Sequence, residues 1–220
     1  MLRHASAFEI AVVLAPPIVL SIASAILWHL QRPGPIPFND RNVVVSLAFQ
    51  VVIAGCLLPY LFRKKWKPLE VAGAPEIGDF VAGLGVWLGL LAFVYATVLA
   101  LYVVAPGFVA PLRARPFTGS LSPLVIASAA ILDPIFEEFL LLGYAVPALG
   151  NRFGIKAAAV ASISLRVAAH AYQGRLAFIA ILPVAVILTW YFVRTGRLWP
   201  VIVAHVVQDA IALSIAFGTT

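Results

Sequence analysis

Two adjacent glutamates, Glu137 and Glu138, stand in the stretch ILDPIFEEFLLLGY at residues 131–144, which is otherwise apolar enough for a membrane helix. A charged side chain near the bilayer centre costs about 2.5–3.5 kcal/mol even on lenient insertion scales, so such residues pair with partners or serve a function. Adjacent positions differ by about 100° around a helix axis. We therefore expect one carboxylate to face a reaction centre, where a glutamate can act as the general base that activates water. The other carboxylate is expected to hold a supporting partner.

Two further pairs of ionisable residues have helical spacing. His170 follows Arg166 by four residues in RVAAHAYQG, and Asp209 follows His205 by four residues in AHVVQDAIAL. Residues four apart lie on the same face of a helix, so the Asp209 carboxylate can orient the imidazole and fix its tautomer. Intramembrane ionisable residues normally face a bundle interior and pair with each other. The pattern predicts three helices packed around one polar site, although buried glutamates that only tie helices together are the alternative.

Asp133 and Pro134 precede the glutamates directly. Aspartate is favoured at a helix N-cap and proline at the first helical position. We therefore predict that the helix kinks or restarts at this point, which would put Glu137 in an opening turn where the helix dipole favours an ionised carboxylate. Asp133 would then either cap the break or support the site.

A metal is also compatible with these residue types. Two histidines and a glutamate match a ligand set of catalytic zinc, and Glu137, His170 and His205 are the candidate ligands. The chain has no HExxH motif, and the three ligands would come from three separate helices. The spacing therefore leaves two possibilities open, a zinc site and a site without any cofactor.

Composition sets the class of protein. Of the 220 residues, 63% are hydrophobic and 11% are charged, whereas soluble domains carry about 25% charged residues. We predict one all-α, polytopic membrane domain over residues 1–220, with the lipid bilayer as its surroundings. The net charge of +6 does not indicate nucleic-acid binding, because the basic residues form short clusters between apolar runs, as juxtamembrane charges do. Cys56 is the only cysteine, which excludes an intrachain disulfide.

The apolar runs predict about seven membrane spans, since one span needs about 20 apolar residues. The first three lie in residues 1–119 and carry almost no ionisable residues, and the other four form a core over residues 120–215. The basic cluster RKKWK at residues 63–67 is assigned to the cytoplasmic side. This assignment predicts a cytoplasmic N-terminus and an external C-terminus, in the plasma membrane of a bacterium. The predicted spans are 7–30, 43–62, 80–105, 121–149, 155–172, 176–194 and 198–217.

The polar motifs resemble those of the CPBP family, the CAAX-protease and bacteriocin-processing intramembrane proteases, also called type II CAAX protease-like or ABI proteins. That family has EExxxR, FxxxH and HxxxN or HxxxD on three membrane helices. The stretches PIFEEFLLLGY, RVAAHAYQG and RTGRLWPVIVAHVVQDAIAL are similar to these three motifs in that order. The resemblance covers about residues 120–215, and the first three spans resemble the family only in being hydrophobic.

The resemblance implies an intramembrane endopeptidase that hydrolyses a bond in a peptide or membrane-protein substrate. It implies that Glu137 and His170 activate water, that His205 and Asp209 stabilise the oxyanion or orient the carbonyl, and that Glu138 supports the site. Two other functions stay open at this point. Chains of Asp, Glu and His also serve as relays in proton- or ion-coupled transporters, and a catalytically silent scaffold could keep the same fold.

Two positions depart from the family pattern. Leu142 stands where EExxxR has its arginine, and Arg166 stands where FxxxH has its phenylalanine. An unpaired buried charge costs about 3–5 kcal/mol. We therefore predict that the guanidinium of Arg166 neutralises Glu138 or Glu137 from the neighbouring helix. The competing interpretation is that the missing arginine marks a relative without protease activity.

Overall fold

The computed structural model describes residues 5–31, 36–109, 117–173 and 177–218, and nearly all of them are helical. The α-helices are α1 Ala7–Gln31, α2 Asp40–Arg63, α3 Pro68–Ala72, α4 Ile77–Val104, α5 Pro106–Val109, α6 Pro123–Glu138, α7 Val146–Phe153, α8 Ile155–Ala169, α9 Leu182–Thr195 and α10 Trp199–Phe217. The predicted all-α class is confirmed.

Shorter elements join or extend these helices. The π-helical segment π1 continues α6 into α7, a second π-helical segment, π2, precedes α9, and a 3₁₀ turn follows α8. Two strands of two residues each, β1 and β2, pair in parallel beside the starts of α2 and α6. Their bounds are π1 Phe139–Ala145, π2 Ala177–Ile181, 3₁₀ turn Ala171–Gln173, β1 Ile36–Pro37 and β2 Phe117–Thr118.

A helical segment coincides with each of the seven predicted spans, but the count of seven membrane spans is not confirmed. Among the described helices, four are long and apolar enough to cross a membrane, namely α1, α2, α4 and α10. Residues Ile179–Thr195 form a shorter apolar helix. The helix that carries the glutamates includes charged residues and a π-helical segment, and α8 has 15 residues. The direction of the chain across the membrane stays a prediction.

The outer surface of the helices is apolar. Phe49, Leu99 and Val103 are among many large hydrophobic side chains that are exposed on α2 and α4, whereas Glu138 and Arg166 are buried inside. Such a distribution suits a hydrocarbon environment, where the backbone groups of a helix are satisfied within the helix itself. The structure is therefore that of an integral membrane protein.

The helix restart predicted at Asp133 and Pro134 is wrong, whereas a kink at this point stays a prediction. Helix α6 begins with Pro123 at its first turn and runs through Pro134 to Glu138 without interruption. A proline inside a helix removes one backbone hydrogen bond and bends the helix, but here the helix continues. Glu137 consequently lies at the C-terminal end of α6, so the proposed stabilisation by a helix N-terminus does not apply, and Asp133 is no N-cap.

The irregular part of this helix lies after the glutamates, in π1. Helices of this type are rare, and single π turns within α-helices are frequent at functional sites. The Ser162 hydroxyl of α8 donates a hydrogen bond of 3.1 Å to the Leu141 carbonyl in π1. At Gly143, an added Cβ would lie 3.3 Å from Leu198 Cδ2. Close contacts from α8 and from the segment before α10 thus hold π1 in place.

Helix α10 packs between α4 and α6, and α6 also packs against α2. The ends of α4 and α10 are joined by Arg197, whose Nη2 lies 2.8 Å from Asp79 Oδ1 and 3.2 Å from Glu76 Oε2. These hydrogen bonds, the one with Asp79 above all, raise the pKa of the Arg197 guanidinium. The Trp199 indole N–H donates 2.7 Å to the Gly73 carbonyl. The start of α10 is thereby fixed to the start of α4.

Glycine at position 83 permits the close approach of α4 and α10. A Cβ there would lie 2.6 Å from Val203 Cβ and 2.9 Å from the Pro200 carbonyl oxygen. We expect Gly83→Ala to destabilise the protein by about 1–3 kcal/mol, as overpacking commonly does, and to lower the thermal midpoint measured in detergent. Gly85→Ala is the matched control, because a Cβ at that position meets nothing within 4 Å. Equal midpoints for the two variants would contradict the packing argument.

Candidate active site

Glu138 and Arg166 form a buried ion pair at the centre of the helices. Nη1 of Arg166 donates 2.7 Å to Glu138 Oε1, and Nη2 donates 2.6 Å to Glu138 Oε2. The two side chains are 0% and 1% exposed. A bidentate pair of this kind is the strongest form of carboxylate recognition. The cation comes from α8, so the predicted transfer of the motif arginine to a neighbouring helix agrees with this geometry.

His205 completes the buried cluster from α10. Its Nδ1 lies 2.6 Å from Glu138 Oε1 and 3.4 Å from Arg166 Nη1. Because the ionised Glu138 carboxylate can only accept, Nδ1–H donates to it. A protonated Nδ1 cannot also accept from the guanidinium, which only donates, so the contact with the arginine is no hydrogen bond. Nε2 of His205 lies 3.5 Å from Asp209 Oδ2. The side chain that orients His205 most directly is thus Glu138, with Asp209 at the other ring nitrogen.

Glu137 points in a different direction from Glu138, as adjacent helical residues must. Its side chain is 23% exposed. Its Oε2 lies 3.3 Å from Arg166 Nη1, and its Oε1 lies 3.8 Å from His170 Nε2. The second distance is too long for a direct hydrogen bond. Glu137 and His170 therefore face each other across a gap in a partly exposed part of the site.

The orientation of His170 is fixed by two neighbours. Its Nδ1 lies 2.9 Å from the backbone carbonyl oxygen of Arg166, four residues earlier. Since a carbonyl accepts only, Nδ1 carries a proton and donates it, and neutral His170 presents the lone pair of Nε2 towards Glu137. The Tyr172 ring stacks on the imidazole, with ring centroids 6.1 Å apart.

Asp133 lies one helical turn before Glu137 and is hydrogen bonded from α2. Nε2 of Gln50 donates 2.6 Å to Asp133 Oδ1. Gln50 is not predictable from the sequence motifs, since an uncharged amide in an apolar span belongs to no motif. Its only signal was a polar side chain within FQVV. The first three spans thus contribute at least one polar side chain next to the core.

The candidate zinc ligands do not form a ligand set in this arrangement. Glu137 and His170 face each other, but both ring nitrogens of His205 face carboxylates, one from Glu138 and one from Asp209. Among the described residues, no group of three or more His, Cys, Asp or Glu side chains is placed to hold a metal ion.

Leu142, at the position where the family pattern has arginine, is fully buried in the same apolar cluster as Leu188 and Leu198. This position lies inside π1, where backbone hydrogen bonds run from i to i+5. In such a segment Gly143, rather than Leu142, comes over Glu138, and a Cβ at Gly143 would lie 3.7 Å from the Glu138 carbonyl oxygen. The π-helical turn thus moves position 142 away from Glu138, and the cation that pairs with Glu138 comes from α8.

The fold and the site define an all-helical membrane protein with a cluster of carboxylates, histidines and one arginine inside its bundle. Residues 119–211 match the family model of the type II CAAX prenyl endopeptidase Rce1-like proteins, and this part of the chain is similar to that family. The match confirms the resemblance drawn from the sequence motifs, and it implies a protease. It spans all the candidate site residues from Asp133 to Asp209. No curated protein and no solved structure matches the chain.

Removal of the Arg166 charge should destabilise the fold. In Arg166→Met the Glu138 carboxylate keeps its burial and loses its cation, which typically costs about 3–5 kcal/mol. We expect a large fall in the unfolding midpoint, measured by heat or by titration with a denaturing detergent. The double variant Arg166→Met with Glu138→Gln removes both charges, so it should recover much of the loss. Additive losses in this double-mutant cycle would show that the two residues do not interact.

Proposed function

We propose that the protein is an intramembrane endopeptidase in which Glu137 and His170 activate the water that attacks a peptide bond. The observation that supports this assignment is the gap between Glu137 Oε1 and His170 Nε2, 3.8 Å across and partly exposed. A polar contact of this length is suited to one bridging water. At hydrogen-bond lengths of about 2.8 Å, a single water can donate one hydrogen to each of these two acceptors.

The different roles that we propose for the two glutamates follow from the residues that each one contacts. Glu138 is held by Arg166 and His205, so its oxygens are occupied by donors. Glu137 has one longer contact with Arg166, at 3.3 Å, and remains reachable from outside. A general base must be within hydrogen-bond reach of the proton that it takes. Glu137 fits this condition, and Glu138 acts as a positioning residue.

Hydrolysis then proceeds in two steps. Glu137 accepts a proton from the bridging water while the water oxygen attacks the carbonyl carbon of the substrate, which gives a tetrahedral intermediate with a negatively charged oxygen. Glu137 then returns the proton to the amide nitrogen as the C–N bond breaks, and a carboxyl and an amine product form. His170 holds the water through Nε2, whose lone pair is free because Nδ1–H donates to the Arg166 carbonyl.

His205 is proposed to stabilise the oxyanion. Its Nδ1–H is committed to Glu138, so Nε2 is the nitrogen left for the substrate, and it donates when the ring is doubly protonated. Carboxylates at both ring nitrogens, Glu138 and Asp209, suit that charged form. Asp209 therefore acts through His205, and loss of an oxyanion donor typically costs about 10²–10³ in kcat.

Glu137→Gln should abolish cleavage while leaving the fold intact. The amide cannot take a proton from water, and general bases contribute about 10²–10⁴ in rate. The measurement uses protein in proteoliposomes with a peptide library, and its control is Glu70→Gln, an exposed glutamate paired with Lys67. Full activity in Glu137→Gln with an unchanged midpoint would refute the assignment. A flux driven by a pH gradient, without any cleavage by the wild type, would instead indicate the transporter.

We expect Asp209→Asn and His205→Asn to differ in how they change kcat and the unfolding midpoint. Asp209 is partly exposed and lies 3.5 Å from His205, so its amide variant should lower kcat with little change in the unfolding midpoint. His205 bonds the buried Glu138, so its asparagine variant should lower both kcat and the midpoint. Unfolding curves and cleavage rates of both variants test this. A midpoint that falls equally in the two would place Asp209 in the structural cluster instead.

A further inference from the structure

The C-terminal end of α2 is closed by a lysine in a conformation that favours glycine. The Trp66 amide donates 2.9 Å to the Leu61 carbonyl and the Lys65 amide donates 2.9 Å to the Phe62 carbonyl, the paired hydrogen bonds of a Schellman motif. The residue at the turn in this motif is usually glycine, because it adopts a positive φ. Here it is Lys65, with φ of 60°. A side chain kept at a strained position suggests a function for that side chain.

Lys65 lies at the rim of a small polar pocket formed by the ends of α1, α2 and π1. The pocket is lined by Lys64, Lys65, Trp66, Tyr144 and, from α1, Glu9. Trp66 is 6% exposed and Tyr144 3% exposed. The indole N–H of Trp66 makes no hydrogen bond with any described residue, whereas the Tyr144 hydroxyl has the Glu9 carboxylate beside it. Buried polar groups are nearly always paired, so the buried indole N–H of Trp66 at this pocket indicates a missing partner.

An apolar groove begins at the same two aromatic residues. Its volume is about 300 Å³, and Trp66 and Tyr144 line both the groove and the polar pocket. From Ala54 to Phe62 the groove follows α2 over eight residue steps, which is about 12 Å at 1.5 Å per residue. Its opposite wall comes from α6 and π1. Among the lining side chains are Leu57, Leu58, Leu61, Phe136 and Leu140.

We propose that the polar pocket and the groove together bind one zwitterionic glycerophospholipid of the phosphatidylethanolamine type. The phosphodiester lies at Lys64 and Lys65 and accepts the Trp66 N–H, and one acyl chain occupies the groove. Glu9 in the same pocket selects the headgroup, since a carboxylate repels a purely anionic headgroup and accepts from an ammonium. The site is separate from the proposed protease chemistry, because none of the proposed catalytic side chains lines either cavity.

The charges at this end of the bundle agree with a headgroup site. The basic cluster RKKWK begins at Arg63, the last residue of α2, where a membrane helix ends at the lipid headgroups. The groove runs from that end along α2 towards the middle of the helix. A ligand that fills both cavities must therefore have a polar group at one end, for the pocket, and a long apolar chain at the other, for the groove. A membrane lipid has this form, and a free phosphate ion has only the first part of it.

The test compares Lys65→Gly with wild type. The protein is purified, delipidated in detergent, and titrated with phosphatidylethanolamine, phosphatidylglycerol or inorganic phosphate, with bound lipid counted by native mass spectrometry. Glycine suits the positive φ, so Lys65→Gly should keep or raise the thermal midpoint and yet weaken phosphatidylethanolamine binding at least tenfold. Lys67→Ala is the control from the same basic cluster, because Lys67 lines neither cavity.

Three other arms test the parts of the site. Trp66→Phe should weaken binding because it removes only the N–H, Leu58→Trp should weaken it by filling the groove, and Glu9→Gln should shift the preference towards phosphatidylglycerol. The proposal would be overturned if Lys65→Gly bound phosphatidylethanolamine as tightly as the wild type does. Binding of inorganic phosphate alone as tight as that of the lipid would also overturn it. So would displacement of the lipid by a prenylated peptide substrate at equimolar amounts, which would assign the groove to the substrate. These readouts measure binding, so they do not depend on cleavage.

Discussion

The buried ion pair between Glu138 and Arg166 is the interaction on which the rest of the site depends. Transfer of either charge out of water is expensive, and a bidentate geometry with a further hydrogen bond is what offsets that cost. Here His205 supplies the further hydrogen bond. The three side chains come from α6, α8 and α10, so the need to keep them together fixes how these helices pack. Every other polar contact of the site is arranged around this cluster.

The same ion pair determines what Glu137 can do. Because Arg166 directs both terminal nitrogens at Glu138, Glu137 receives only one longer contact and keeps an oxygen towards His170. The backbone of Arg166 contributes as well, since its carbonyl accepts the His170 Nδ1–H. Arg166 thus neutralises the Glu138 carboxylate with its side chain, and its main-chain carbonyl sets the tautomer of the histidine that we propose holds the water.

The sequence was most informative at positions where burial of the side chain costs much free energy. Charged side chains inside apolar runs identified the helices of the site and the compensating role of Arg166, because a buried charge demands a partner. It was least informative about backbone shape. The pair Asp133–Pro134 suggested a helix start, but helix packing carried α6 through the proline. Gln50 was missed because an amide among apolar residues costs less to bury than a charge, and spacing does not reveal a contact with α2.

The π-helical turn has a consequence for the evolution of the chain. A turn closed by i→i+5 bonds contains one residue more than the α-helical turn that it replaces. Loss of a single residue within Phe139–Ala145 could therefore be absorbed as an ordinary α-helical turn, and the helix would remain unbroken. The residues after the turn, including α7, would keep their orientation relative to Glu138. The π turn thus lets the spacing after Glu138 change by one residue without a change in how the flanking helices pack.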